Sequence, residues 1–244
     1  MSDLRTVAAK RLDAFVDGAF AFAVTMLVVG TAGAMDSYDG LMATFAHVPA
    51  FALSLTIIVS FWWAHRQFSL IVLRSDKIND ALSMLIMFVI LIYVFPVSFL
   101  MKALMHWLSD AALPGNGLLP FQVRSIYLSF GAGFAILSAA YALMYFRATN
   151  VHGKLRVPKM FRPTARRASF WWAACAITAL LSMLITYYGD VEGLIWIPLI
   201  PYFAFLLLLL MWRVFAPIKA RRAMNMDEMD GTEFDGGAPD EEAA

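Results

Sequence analysis

The stretch that decides the fold is Arg11–Gly30, RLDAFVDGAFAFAVTMLVVG. It is long and apolar enough to cross a bilayer as an α-helix, which needs about 20 mostly apolar residues. Yet it carries three charged side chains near its start, Arg11, Asp13 and Asp17, and a single hydroxyl in its middle, Thr25. A carboxylate inside a spanning helix is costly unless it is paired. The segment therefore predicts a membrane helix whose polar side chains have partners on other helices.

The rest of the chain has the same apolar character. Of its 244 residues, 61% are hydrophobic and only 15% are charged, and the mean hydropathy is +0.69. A water-soluble domain of this size cannot bury so much apolar surface, so lipid must be the solvent for most of it. We expect an all-α integral membrane protein with six transmembrane helices per chain, which we number spans 1 to 6: residues 13–34, 44–71, 80–106, 121–147, 168–188 and 192–216.

The basic residues predict how the chain crosses the membrane. Seventeen of the 19 lysines and arginines fall at the ends of the spans that share one side, and Lys102 and Arg124 are the exceptions. Because basic residues favour the cytoplasmic side, we expect both termini to be cytoplasmic, in a multi-pass protein of the plasma membrane. Residues 1–222 then form the six-helix transmembrane domain. Residues 223–244 form an acidic, disordered cytoplasmic tail, since eight acidic residues and no basic one follow position 226.

Polar side chains from three spans are predicted to meet at one depth. Asp17 lies one to two turns inside span 1, Trp62 and His65 lie near the cytoplasmic end of span 2, and Asn79 begins span 3. We expect Asp17 to pair with His65, Arg11 or Asn79. Two interpretations remain open: a structural polar clasp that fixes the packing of spans 1 to 3, or a proton or ion site on a permeation route.

Span 1 also has a second face. Apolar residues and one hydroxyl recur at positions i, i+3, i+7, i+10 and i+14, which makes a stripe about one helical face wide: Phe15, Gly18, Phe22, Thr25 and Val29. At about 100° per residue, Asp17 points well away from Phe22 and Val29. Span 1 is therefore predicted to serve two different neighbours.

The motifs of the first span resemble a known family. RLDAFVDG is similar to the R-x-x-x-F-S-D signature that opens the first helix of the transmembrane protein 175 potassium channels, in their bacterial branch. Arg11, Phe15 and Asp17 match this signature, and Val16 replaces its serine.

Spans 2 and 3 carry further matches to that family. FWWAHRQF resembles the W-x-x-H ending of its second helix through Trp62 and His65, and INDALSM…VFPVSF resembles its third helix through Asn79 and Pro96. The resemblance covers all six spans in topology but only spans 1 to 3 in motif.

The resemblance implies a potassium-permeable, leak-type channel that assembles as a homotetramer in the lipid bilayer, with four copies of span 1 lining a central pore. By position, Phe22 forms a hydrophobic constriction, Thr25 a hydroxyl layer and Val29 the next apolar ring, in place of a carbonyl filter. The predicted residues of the structural polar clasp are Arg11, Phe15, Asp17, Trp62, His65 and Asn79. Phe22 departs from the family, which usually has Ile or Leu there; four phenyl rings could close the pore more tightly or gate it by dewetting.

Other classes of function are less favoured by the sequence. The main alternative is a proton-coupled transporter of a small solute that uses Asp17 and His65 as a relay. A membrane enzyme is not expected, because the chain has no convincing nucleophile or metal set. No cofactor, bound metal or nucleic-acid partner is predicted; the expected partners are potassium ions, further copies of the chain and lipid.

Overall fold

The structure is a computed structural model that describes residues 2–31, 37–72, 76–109, 120–150, 161–189 and 197–202. Apart from short turns and caps, these residues are helical. The helices are α1 Ser2–Thr31, α2 Tyr38–Ala46, α3 Val48–Ile71, α4 Lys77–Leu108, α5 Pro120–Asn150 and α6 Arg162–Tyr188, followed by a 3₁₀ turn at Ile197–Leu199.

Five of these helices are long and apolar enough to cross a membrane: α1 from Arg11 to Gly30, and α3, α4, α5 and α6 over most of their lengths. They correspond to the predicted spans 1 to 5, so the chain is a multi-pass membrane protein. Most of span 6 and the whole acidic tail lie outside the described residues. The expectations for these segments therefore stay predictions.

The start of span 2 differs from the prediction. The predicted span begins at position 44, whereas α2 ends at Ala46 and α3 begins at Val48. Ser37 caps the short helix α2 by accepting a hydrogen bond from the Gly40 amide, and a proline in the first turn of α3 cannot donate a backbone bond. The chain therefore turns at His47, and continuous hydrophobicity concealed this break.

Contacts between side chains fix the directions of the helices. α1 runs antiparallel to α3, since Asp13 contacts Ser69 and Asp17 contacts Trp62. α3 runs parallel to α5: Tyr141 Oη donates to the Phe61 carbonyl at 2.8 Å, and Tyr145 Oη donates to the Ala64 carbonyl at 2.9 Å. Helix α1 packs on α3 and α4, and α5 and α6 form the most closely packed pair of helices.

An aromatic cluster forms the centre of the described helices. The Phe61 ring is fully buried and stacks on Tyr141 and Trp172, with centroids 6.1 and 5.5 Å apart. Gly133 lets α5 approach α4, because a Cβ at that position would lie only 2.2 Å from a ring carbon of Tyr93. The rigid rings and the small residue beside them hold α3, α4, α5 and α6 in one register.

The two basic residues that broke the charge pattern both bind helix ends. Lys102 Nζ donates to the Gly30 carbonyl at the end of α1, at 2.7 Å, and Arg124 donates to the Gly189 carbonyl at the C-cap of α6, at 3.2 Å. Cations are favoured at helix C-termini, where carbonyls lack partners and the helix dipole is negative. Burial and the nearby charge of Lys102 lower the pKa of His47, which lies between α2 and α3. The exceptions therefore have a local structural reason.

Candidate functional site

Helix α1 divides into an inner and an outer face. The inner face is a row of apolar side chains spaced by four, three and four residues, each at most 3% exposed: Val16, Phe20, Ala23 and Leu27. This is the spacing of one side of an α-helix. This row packs against the rest of the chain, so the residues on the opposite side of α1 face outward.

The outer face of α1 is the stripe predicted from the sequence. Phe15, Phe22 and Val29 are 61%, 56% and 62% exposed. Gly18 and Thr25 on the same face are also exposed, and a Cβ built on Gly18 would meet nothing within 4 Å. The stripe is therefore open along the apolar part of α1, and nothing in its own chain covers it among the described residues.

The hydroxyl in this stripe has a defined orientation. Thr25 Oγ1 donates its proton to the Ala21 carbonyl, one turn back, at 3.0 Å. This bond is common for threonine in membrane helices and uses the only hydrogen that the hydroxyl carries. The oxygen therefore offers its lone pairs, and not a proton, to whatever lies beside the outer face.

The polar side chains at the start of α1 pair differently from the prediction. Asp17 accepts a hydrogen bond from Trp62 Nε1 at 2.9 Å. His65 does not face Asp17; its Nε2 lies 3.6 Å from an oxygen of Asp13, which also accepts a bond from Ser69 Oγ at 2.9 Å. The predicted pairing of Asp17 with His65 is therefore wrong. The clasp has two carboxylates, one turn apart, and each has its own partners on α3.

The remaining predicted clasp residues are spread over different environments. Asn79 is fully buried in the first turn of α4, and its backbone amide donates to the Asp76 side chain at 3.0 Å. Neither the side-chain amide of Asn79 nor the ring nitrogens of His65 have a hydrogen-bond partner within the described part of the chain. Arg11 and Phe15 are exposed, and Phe15 lies on the outer stripe. The prediction that Phe15 belongs to the clasp is therefore not supported by its position.

Helix α5 supports the clasp from behind. The Tyr141 and Tyr145 hydroxyls donate to the carbonyls of Phe61 and Ala64, which directly precede Trp62 and His65 in α3. Both tyrosines are buried at 4% exposure or less. These bonds fix the segment of α3 that carries Trp62, the donor to Asp17, and His65, which lies beside Asp13.

Sequence reasoning missed Asp13 and Ser69 as members of the clasp, although a simple signal was present. Asp13 lies four residues before Asp17, and Ser69 lies four residues after His65. Residues four apart share a helix face. Trp62, His65 and Ser69 are spaced by three and four residues and share one face of α3, so two carboxylates one turn apart on an antiparallel helix can contact this face at neighbouring depths. Within the described residues, no three His, Cys, Asp or Glu side chains gather as a metal site would require.

Double-mutant cycles test the observed pairing. We expect Asp17→Ala and Trp62→Phe to be non-additive in thermal stability in detergent, with a coupling of about 0.6 kcal/mol and at most roughly 1.7 kcal/mol, as for hydrogen bonds in other membrane proteins. Asp17→Ala and His65→Ala should instead be additive, because these side chains have different partners. Asp13→Ala with Ser69→Ala is the matched second pair and should couple. Coupling between Asp17 and His65 would contradict the structure.

The chain is similar in sequence to a known channel family and to a named channel. Residues 11–96 match the family model described as "Endosomal/lysosomal potassium channel TMEM175". A protein of Marivirga tractuosa named "Potassium channel" is 28% identical over 152 residues, which cover 59% of this chain and 61% of that protein. The match therefore spans about three fifths of that relative's length.

Two solved structures share the arrangement of helices. A variant of the potassium channel MtTMEM175, crystallised with a nanobody fusion protein, superposes with a TM-score of 0.71 at 22% identity, over 86% of this chain and 93% of that one. A lysosomal potassium-selective channel TMEM175 homologue from Chamaesiphon minutus gives a TM-score of 0.57 at 17% identity, over 84% of this chain and 98% of that one. The resemblance to the TMEM175 family that the motifs of α1, α3 and α4 indicate is therefore confirmed, by sequence over residues 11–96 and by fold over most of the chain.

Proposed function

We propose that the protein is a potassium-permeable, leak-type cation channel that conducts passively through a homotetrameric pore lined by α1. The observation that carries this proposal is the open outer stripe of α1, in which Thr25 lies between Phe22 and Val29. The names of its relatives, which are potassium channels, point to the ion.

The composition of the stripe favours a pore over a lipid-facing surface. The exposed face of α4 carries large apolar side chains, including Phe88, Ile92 and Phe95 at 54–61% exposure, as expected for contact with lipid. The exposed face of α1 also includes Gly18, Ala21 and Thr25, which are small or hydroxylated. Small residues allow helices to approach closely around an axis. We therefore place α1 at the central axis of an oligomer, where small side chains allow its copies to pack closely.

The orientation of Thr25 suits a cation. Because the hydroxyl proton is bonded to the Ala21 carbonyl, four copies would place four oxygen lone-pair donors around the axis. These oxygens can replace part of the water around a potassium ion, while the apolar rings of Phe22 and Val29 limit the width and wetting of the pore. Selection by side chains in this way requires neither a carbonyl filter nor a cofactor.

The fixed positions of both ends of α1 support such a pore. Asp13 and Asp17 bind α3 at one end, and Lys102 of α4 binds the Gly30 carbonyl at the other. In this proposal the clasp is structural, and it holds the rotation of α1 so that Phe22, Thr25 and Val29 face the axis. Pre-organised lining residues need no rearrangement when an ion arrives.

The alternative function, a proton-coupled transporter, has less support. It uses Asp17 and His65 as a relay, but Asp17 accepts from the indole of Trp62, which is a donor only. His65 lies beside Asp13 instead. No contact among the described residues connects Asp17 to a second titratable group.

Replacement of Phe22 tests the constriction. We expect Phe22→Ala to raise passive potassium flux in protein-containing liposomes several-fold and to lower the discrimination against sodium, because the narrowest apolar ring is widened. Phe88→Ala is the matched control, since Phe88 is similarly exposed but lies on α4. Size-exclusion chromatography verifies that both variants assemble like the wild type. Equal flux in wild type and Phe22→Ala would remove Phe22 as the constriction, and absence of potassium flux in well-assembled wild-type protein would refute the channel.

Replacement of Thr25 tests the hydroxyl layer. Thr25→Val keeps the shape of the side chain but removes the oxygen, and we expect it to lower the potassium-to-sodium permeability ratio several-fold while assembly is retained. Thr56→Val is the control, because Thr56 on α3 is exposed and makes the same bond to the carbonyl four residues back, at 2.8 Å. Reversal potentials in planar bilayers report the ratio. A ratio that is unchanged in Thr25→Val would show that the hydroxyl does not coordinate the ion.

A further inference from the structure

A basic cavity lies between the end of α5 and the start of α6, far from the outer stripe of α1 in the chain. Its volume is about 890 Å³, and its lining includes Thr149, Arg162, Arg166, Arg167 and Ser169. Ligand sites in proteins typically range from about 300 to 1,000 Å³. The cavity is therefore large enough for a small polar group.

The charge of this cavity is unbalanced. Among the described residues, its lining contains three arginines and no acidic side chain. Arg147, which is nearby in α5, differs from them because it forms an ion pair with Asp76 at 2.5 Å. Arg166 and Arg167 are exposed, and Arg162 is partly buried. No carboxylate among the residues that the structure describes neutralises these three arginines, so their positive charge favours an anion.

The start of α6 adds donors to the same place. Phe161 occupies the N-cap position and provides no side-chain bond to the first turn, where Pro163 has no N–H and the remaining N–H groups have no partner within the helix. The positive end of the helix dipole lies at this turn, two residues of which, Arg162 and Pro163, line the cavity. Arginine side chains add planar pairs of donors that match phosphate oxygens.

Apolar side chains surround the cavity on the side that continues along the helices. Phe146 of α5 and Phe170 of α6 line it and are 56% and 66% exposed. The Arg166 guanidinium lies over the Phe170 ring, 5.8 Å from its centroid. Leu143 and Ile177, further along the same helices, are 45% and 58% exposed. A polar site that opens onto an apolar helix surface has the two parts that a phospholipid requires.

We propose that this cavity binds the phosphate headgroup of an anionic phospholipid, whose acyl chains lie along the exposed apolar surfaces of α5 and α6. The arginines and the first turn of α6 hold the phosphate, and the phenylalanines contact the upper part of the chains. Basic pockets between helices at the membrane surface bind anionic headgroups in this way. A free phosphate would use the same arginines but would gain nothing from the apolar surface, which is why the lipid is favoured.

Lipid titration of the full chain tests the site. Native mass spectrometry of the purified protein in detergent measures the apparent dissociation constant of the first bound phosphatidylglycerol, with phosphatidylcholine as the neutral lipid. We expect Arg166→Gln to weaken phosphatidylglycerol binding on the order of fivefold and to leave phosphatidylcholine unchanged. Lys77→Gln is the matched control, because it removes one exposed positive charge from the first turn of α4, outside the cavity.

The outcomes separate the sources of phosphate. Arg166→Lys should give an intermediate value, since it keeps the charge but loses the planar pair of donors. Equal weakening in Arg166→Gln and Lys77→Gln, or no weakening in either, would overturn the site. Displacement of the lipid by inorganic phosphate at equal concentration would overturn the preference for a lipid. The measurement does not use ion flux, so its result is independent of the proposed channel function.

Discussion

The rest of the structure depends on the fixed rotation of α1. Its buried row, Val16 to Leu27, packs on α3 and α4, and polar bonds join both ends of the helix to these neighbours. The rotation of α1 determines both the burial of that row and the exposure of the opposite stripe. Apolar packing alone has little directional preference in a membrane, since lipid is as apolar as leucine. In the proposed account, the carboxylates therefore supply the specificity of rotation that the apolar residues lack.

This constraint links the two halves of the chain. The donors to Asp13 and Asp17 lie on α3, and α3 is held by the tyrosine hydroxyls of α5 and by the aromatic cluster around Phe61. Helices α5 and α6, which contribute nothing to the outer stripe of α1, therefore act as its support. They also leave a large surface of their own facing outward, and the basic cavity lies at the end of that surface.

Much of this architecture could be predicted from the sequence, and the rest could not for physical reasons. The spans and the outer stripe follow from hydrophobic length and helical period, which are local properties. The break at His47 was missed because both sides of it are apolar, and only a cap and a proline mark it. The pairing of Asp17 with Trp62, and of His65 with Asp13, depends on the vertical offset between α1 and α3. A shift of one turn exchanges such partners, and hydropathy does not determine this offset.

The most direct test of the account is cysteine accessibility along α1 in the conducting protein. Cys175 is the only native cysteine and is buried, so Cys175→Ala gives a background in which single cysteines can be introduced. Reconstituted channels should be blocked by a water-soluble, positively charged thiol reagent when the cysteine replaces Phe22 or Thr25. Replacement of Phe20 or Ala23, on the buried face, should give no block. Block with no helical period, or no block at Phe22 and Thr25, would contradict a pore lined by α1.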